Sequence, residues 1–144
     1  MNGKTTKHII TEVEAYDGIN DKACHASKGR TVRTEIMFGP AGFWYVYLCY
    51  GMYDMLNIVT GPKDYPAAVL IRGVEGINGP GRLTKTLKIT RALNGKKVDQ
   101  KNGLWIEQGI SVSKNEIART PRIGVAYAGA YAQKPWRFVW KKKT

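Results

Sequence analysis

The chain has 144 residues, and its 23 Lys and Arg against 11 Asp and Glu give a formal charge of +12. This length fits one domain, because a single core usually takes about 100–150 residues. With 43% apolar and 10% aromatic residues the chain can build a core, which excludes a wholly disordered basic tail. No apolar run reaches the ~18–20 residues of a membrane span, and the first residues do not predict a secretory signal. Cys24 and Cys49 are too few for a disulfide scaffold, so we expect a reducing, intracellular compartment and no membrane.

The predicted elements are mostly short strands separated by glycine turns. In chain order, we expect strands at residues 9–16, 43–50, 55–60, 67–72, 104–106 and 136–140, and one short helix at 82–89. The helix is predicted because Leu83 and Leu87 lie four residues apart. Its other sides carry three basic residues, Arg82, Lys85 and Lys88.

The segments 43–50 and 55–60 form a predicted β-hairpin with Tyr50 at or near its tip. Its two faces are both aromatic, with Tyr45 and Tyr47 on one and Trp44 and Tyr50 on the other. A sheet covered on both sides explains most of this pattern, although aromatic groups beside a basic surface also stack on unpaired bases. The fold class predicted from these elements is α+β, a single domain with a mostly antiparallel sheet, a protruding aromatic β-hairpin and short flanking helices.

The charge is concentrated in the second half of the chain. Residues 1–76 hold 8 basic and 8 acidic side chains, whereas residues 77–144 hold 15 basic and 3 acidic ones. This asymmetry is typical of a protein that binds a polyanion or an anionic surface. A solvated surface that only confers solubility explains a basic half equally well.

Two carboxylates and a phenol share one face of the first predicted strand. Side chains alternate along a strand, so Glu12, Glu14 and Tyr16 lie on the same side. Carboxylates are costly in a core, and the simplest interpretation therefore places this face in solvent.

No motif for a metal or a phosphate loop accompanies these residues. His25 lies in a polar loop, where an exposed or capping histidine is common, and Cys24, His8 and Cys49 lack the paired short spacings of a zinc site. Residues 79–81 (GPG), which precede the helix, could point backbone amides at a phosphate, but an ordinary turn is the preferred interpretation. We expect no metal and no cofactor.

Several separate motifs nevertheless occur in a specific order. They are residues 12–16 (EVEAY), 24–27 (CHAS), 33–42 (RTEIMFGPAG), 45–53 (YVYLCYGMY), 68–72 (AVLIR), 79–83 (GPGRL), 122–125 (RIGV) and 134–138 (KPWRF). Their order and spacing resemble the alkyladenine (3-methyladenine) DNA glycosylase family over residues 10–140. The resemblance implies a monofunctional enzyme without lyase chemistry. Its partner is double-stranded DNA containing damaged purines such as 3-methyladenine, hypoxanthine and ethenoadenine, whose N-glycosidic bond it hydrolyses. It further implies a monomer located in the cytoplasm, associated with the nucleoid if the source is bacterial.

The resemblance also implies roles for individual residues. Glu14 matches the general base that activates a water for attack at the sugar C1′, and Arg72 and the carbonyl of Ile123 match the groups that hold this water. The other matched positions surround a flipped base: Tyr16 on one side, His25 and Tyr47 on the other, Asn57 against guanine, and Tyr50 in the gap left by the base. In the basic half we expect phosphate contacts from Arg82, Lys85, Lys88 and Arg137.

Two features depart from the family pattern. Val13 stands where the family commonly has Thr, and residues 1–144 are expected to form a glycosylase domain without the helix and first strand that usually precede Glu12.

Two other functional classes are compatible with the composition. One is a nucleic-acid-binding module that kept the fold without turnover, and the other is a basic structural or ribosome-associated protein.

Overall fold

One antiparallel sheet runs through the computed structural model, which describes residues 4–141. Its strands are β1 (Ile10–Asp17), β2 (Trp44–Cys49), β3 (Tyr53–Val59), β4 (Ala67–Val74), β5 (Ile77–Asn78), β6 (Ile117–Thr120) and β7 (Arg137–Trp140). The α-helix α1 spans Pro80–Leu87. Short 3-10 helices occupy His25–Lys28, Glu35–Phe38, Arg91–Leu93, Gln100–Asn102, Lys114–Glu116 and Ala126–Gln133.

The strand order is β2-β3-β4-β1-β7-β6, with β5 paired to β4. Every pair is antiparallel. The sheet with its short helices confirms the predicted α+β class. Strand β1 lies between β4 and β7, so its side chains contact residues from distant parts of the sequence.

Both faces of the sheet are covered, as the aromatic pattern of the hairpin predicts. On one face, Trp44 and Val46 join Leu56, Ile71 and Leu83 of α1 in a buried cluster. On the other face, a second cluster contains Tyr45, Phe38, Met37, Cys24 and Ala68. Because side chains alternate along β2, its residues pack in two separate hydrophobic clusters.

The ends of the helix differ from the prediction by two residues. Proline is favoured at the first helical position because its missing N–H needs no partner there, and α1 accordingly begins at Pro80. Lys88 has a left-handed backbone (φ 57°) and ends the helix, so that Ile89 packs in the core instead of continuing it.

The strand predicted at residues 104–106 is wrong. Leu104 makes only an isolated bridge to Asp99, because the 3-10 helix Gln100–Asn102 turns the chain back within a few residues. Leu104 packs against the core cluster that contains Trp44, and its carbonyl accepts a hydrogen bond from Trp44 Nε1 at 3.2 Å. The short strands β5 and β6 were not predicted, since neither has a run of branched or aromatic residues.

Within residues 4–141, no helix combines the length and the apolar character needed to cross a membrane. The same part of the chain contains no cluster of three or more His, Cys, Asp or Glu suited to a metal ion. Cys24 is a buried free thiol and Cys49 a half-buried one.

Candidate active site

A cavity of about 440 Å³ opens on the sheet face that carries Tyr45 and Tyr47. It is bounded by β1, β4, the β2–β3 hairpin and the loop that follows β6. Its lining includes every residue predicted to be catalytic, to contact the base or to intercalate: Glu14, Tyr16, His25, Tyr47, Tyr50, Asn57, Arg72 and Ile123. The fold therefore brings together side chains separated by up to 109 positions.

Glu14 is completely buried at the floor of this cavity. Its Oε1 accepts a hydrogen bond from the Tyr16 hydroxyl at 2.8 Å, and its Oε2 accepts one from the Ile123 amide at 2.7 Å. Burial and the charge of Glu14 raise the pKa of Tyr16 well above its usual range, so the phenol remains a donor. The interpretation of this strand face as solvent-exposed is wrong, because β4 and β7 flank β1 and the loop after β6 covers it.

Arg72 of β4 reaches the same region and lies between two carboxylates. Its Nε donates to Glu12 Oε2 at 2.8 Å and lies 3.8 Å from Glu14 Oε2. Glu12 Oε2 also accepts from Arg137 Nε at 2.7 Å. Partial burial raises the pKa of Glu12, but hydrogen bonds and charges from Arg137 and Arg72 outweigh it and hold that pKa below its usual value. No functional role was predicted for Glu12, whose side chain is only 14% exposed.

Arg137 was predicted to contact DNA phosphates, but its guanidinium has partners inside the protein. Besides Glu12, it contacts Thr120 Oγ1 at 3.1 Å, and its side chain is 22% exposed. These contacts place Arg137 in the charged network beneath the cavity.

An aromatic wall closes another side of the cavity. The rings of His25 and Tyr47 are 4.4 Å apart, and the His25 Nδ1 is 3.1 Å from the hydroxyl of the buried Tyr45. Burial, with the nearby charges of Arg33 and Lys28, lowers the pKa of His25 to about 4. The imidazole is therefore neutral near pH 7, and the wall presents π-faces without a charge.

Asn57 of β3 is buried between β2 and β4, opposite Tyr45 and Leu70. Its Nδ2 donates to the carbonyls of Tyr45 and Met55, each at 3.2 Å. These bonds orient the amide while the residue also lines the cavity. Asn57 thus has a structural role whether or not it contacts a base.

Tyr50 stands at the tip of the hairpin and is 86% exposed. Tyr50 and Gly51 both have positive φ (53° and 66°), and the Met52 amide donates to the Cys49 carbonyl at 3.1 Å. Two consecutive positive φ angles are the geometry of the tight hairpin turn that prefers Asn-Gly. A tyrosine in the left-handed region costs about 1–2 kcal/mol. The Tyr50 ring therefore projects from the hairpin tip and does not pack in the core.

The loop that carries Ile123 is anchored by a buried ion pair that sequence analysis missed. Arg122 donates to both carboxylate oxygens of Asp21, at 2.6 and 2.9 Å, and both side chains are fully buried. Its guanidinium also lies 4.9 Å from the ring centres of Tyr16 and Trp136. The pair is separated by 101 positions, so no local pattern could have revealed it.

The remaining predicted phosphate contacts lie outside the cavity. Arg82, Lys85 and Lys88 are exposed on or just after α1, which packs on the opposite sheet face through Leu83. The helix lies close to the hairpin, since a Cβ added at Gly81 would be 2.5 Å from the Tyr53 ring. A cation that was not predicted, Arg33, lines the cavity itself and sits 5.4 Å from the centre of the Tyr47 ring.

Comparisons with known proteins identify the family of this chain. A family model described as methylpurine-DNA glycosylase (MPG) matches residues 1–78 and 75–144. A protein of Methanocella arvoryzae named "Putative 3-methyladenine DNA glycosylase" is 50% identical over 149 aligned residues, covering 90% of this chain and 74% of that protein. Proteins of the same name from Myxococcus xanthus and Rickettsia rickettsii are 48% and 50% identical, over 89% and 96% of this chain and 70% and 76% of their own lengths. The chain therefore belongs to the methylpurine-DNA glycosylase family, whose members are DNA-repair enzymes that hydrolyse N-glycosidic bonds.

Proposed function

We propose that this chain, as one monomeric glycosylase domain, removes alkylated or deaminated purines from double-stranded DNA. Its substrates include 3-methyladenine, hypoxanthine and ethenoadenine, each cleaved at the N-glycosidic bond by a water that Glu14 activates. The observation that carries the proposal is a buried carboxylate, Glu14, at the floor of a cavity with an aromatic wall formed by His25 and Tyr47.

Entry of the base requires that the nucleotide leave the stack, which costs a few kcal/mol of stacking and pairing. Tyr50, exposed at the hairpin tip, is suited to fill the gap left in the duplex and so to oppose return of the base. Inside the cavity the base stacks between Tyr16 and the wall formed by His25 and Tyr47. Stacking tolerates different purines, because every base has a π-face.

Discrimination against normal guanine is assigned to Asn57. Guanine differs from hypoxanthine by a 2-amino group, and a rigid side chain against C2 rejects it by collision and by leaving a donor unpaired. The bonds from Asn57 to the Tyr45 and Met55 carbonyls supply this rigidity.

For the chemical step, Glu14 accepts a proton from the attacking water, which Arg72 and the Ile123 carbonyl hold. The oxygen of the water bonds to C1′, and the electrons of the broken C1′–N bond leave with the base. The negative charge of Glu14 also favours the cationic sugar that forms as this bond breaks. The donors Tyr16 and Ile123 hold the carboxylate in a single orientation.

The direct test is incubation of the protein with a duplex containing one hypoxanthine, followed by alkali, which cleaves abasic sites. A strand break at the lesion that needs alkali is the expected result, and an undamaged duplex is the control. A break without alkali would show lyase chemistry. Retained binding without abasic sites would instead favour the non-enzymatic binding module.

A further inference from the structure

A cluster of four charged side chains joins three strands beneath the cavity. Glu12 and Glu14 lie on β1, Arg72 on β4 and Arg137 on β7, and their formal charges sum to zero. The register between β1 and β4 shifts between Glu12 and Val13, where Glu12 pairs with Gly73 and Val13 with Ile71. The irregularity lies where β1 presents its two carboxylates to one guanidinium.

Arg72 is shared unequally between these carboxylates. Its Nε is 2.8 Å from Glu12 Oε2, a direct hydrogen bond, but 3.8 Å from Glu14 Oε2. Hydrogen bonds between guanidinium and carboxylate are strong and directional, so a guanidinium without Glu12 would pair with the next carboxylate in reach. That carboxylate is Glu14.

We propose that Glu12 is a positioning residue, which holds Arg72 off Glu14 and thereby leaves the Glu14 carboxylate free to accept a proton. The inference rests on the proposed function, in which Glu14 is the base. Arg137 completes the arrangement: its 2.7 Å bond to Glu12 fixes the orientation of that carboxylate and balances its charge.

Because the charges of the cluster balance, the positioning role of Glu12 can be tested by the pH dependence of excision. In the described residues, the titratable or charged groups facing Glu14 are Tyr16 and Glu12 of β1, Tyr47 of β2 and Arg72 of β4, while Glu12 faces Arg72 and Arg137. Without the charge of Glu12, the cluster carries a net charge of +1, and nearby cations favour the charged form of a carboxylate. They also oppose a cationic transition state.

The experiment measures single-turnover excision of hypoxanthine as a function of pH for the wild type, Glu12→Gln, Arg137→Gln and the double variant. For Glu12→Gln we expect the plateau rate to fall by roughly 10- to 100-fold, the scale of a misplaced catalytic group. We also expect the acid limb of its profile to move to lower pH. Arg137→Gln, which removes a cation, moves the acid limb to higher pH.

In the double variant the net charge of the cluster is restored, so the acid limb returns towards that of the wild type. The plateau stays low, because Arg72 still lacks the carboxylate that holds it. Melting temperature and binding of lesion DNA are measured for each variant to show that it is folded. If Glu12→Gln does not fold, Arg137→Gln alone tests the proposal, and its acid limb should lie at higher pH than that of the wild type.

Glu14→Gln, measured in parallel, separates this proposal from the proposed function. Excision by Glu14→Gln at the wild-type rate would overturn the role of Glu14 itself. If Glu14→Gln is inactive while Glu12→Gln keeps the wild-type plateau and acid limb, Glu12 has no positioning role. A lower plateau with both acid limbs unmoved would indicate only structural damage and would equally overturn the proposal.

Discussion

Glu14 and Asp21 are both fully buried carboxylates, but their surroundings differ in kind. Both oxygens of Asp21 are bonded to the guanidinium of Arg122, which neutralises the charge completely. Glu14 accepts its short hydrogen bonds from two uncharged donors, the Tyr16 hydroxyl and the Ile123 amide, and it faces a cavity. An ion pair of the first kind suits a structural role, whereas a carboxylate of the second kind fits the proposed role of a general base.

The lowered pKa of His25 predicts a loss of stability on acidification. Between its ordinary value of 6.5 and its folded value of about 4, the unfolded chain binds a proton that the folded protein does not. The free energy of unfolding therefore falls as the pH drops through this window. In thermal melts, His25→Gln should lose less stability than the wild type over the same window. Parallel curves for the two proteins would show that His25 is not the group responsible.

Asn57 gives a prediction about selectivity. Asn57→Ser shortens the side chain, so activity on guanine or 7-methylguanine should rise relative to activity on hypoxanthine. Some loss of stability is expected in addition, because two hydrogen bonds to the hairpin backbone disappear. The ratio of single-turnover rates on the two bases is the decisive measurement. An equal fall in both rates would assign Asn57 to hairpin structure alone.

Among the elements, the β2–β3 hairpin was the most predictable from sequence. Its branched and aromatic residues favour strands, and Tyr50-Gly51 occupies the turn, so its position and both of its buried faces were correctly predicted. The contacts of β1 were less accessible to prediction. The alternation of side chains along β1 correctly predicted that Glu12, Glu14 and Tyr16 share one face of the strand. The burial of that face depends on β4, β7 and the loop at Ile123, which are remote in sequence.

The turn of the hairpin predicts a trade-off between stability and activity. Asn tolerates the left-handed backbone better than Tyr, so Tyr50→Asn should keep or slightly raise the melting temperature. Excision from a fully paired duplex should nevertheless fall, because the group that fills the gap is lost. The control substrate carries the lesion opposite a mismatched base, which is easier to flip, and the loss there should be smaller. Equal losses on both substrates would contradict a role in base flipping.

At the scale of the whole molecule, part of the basic half is paired inside the protein. Arg122 and Arg137 are bound by Asp21 and Glu12, so they contribute to the structure around the site. The sequence shows which half of the chain holds the excess positive charge. It does not show which of these cations are paired inside the protein, because their carboxylate partners lie in the first half of the chain. The resemblance to the family placed eight residues at one cavity, yet it gave no role to Glu12, Arg122 or Arg33.

The exposed cations Arg82 and Lys85 remain predicted phosphate contacts, and salt dependence tests them. Each lost contact lowers the slope of log K against log salt by about 0.9, so Arg82→Gln/Lys85→Gln should reduce it by about 2. Arg137→Gln is the matched control, since its guanidinium already has partners in the protein, and should leave the slope unchanged. An unchanged slope in the double variant would remove Arg82 and Lys85 from the interface.

Glu14→Gln is the variant that distinguishes a general base from a structural carboxylate at the floor of the cavity. Gln keeps the size of Glu and can still accept hydrogen bonds from Tyr16 and Ile123, but it lacks the charge and the basicity. In single-turnover excision of hypoxanthine, we expect the rate to fall by at least ~10²–10⁴-fold, the usual loss on removing a general base. Binding of lesion DNA should hold or improve, because a negative charge near the phosphates is removed. A Glu14→Gln variant that binds lesion DNA and excises hypoxanthine at the wild-type rate would show that Glu14 is not the base.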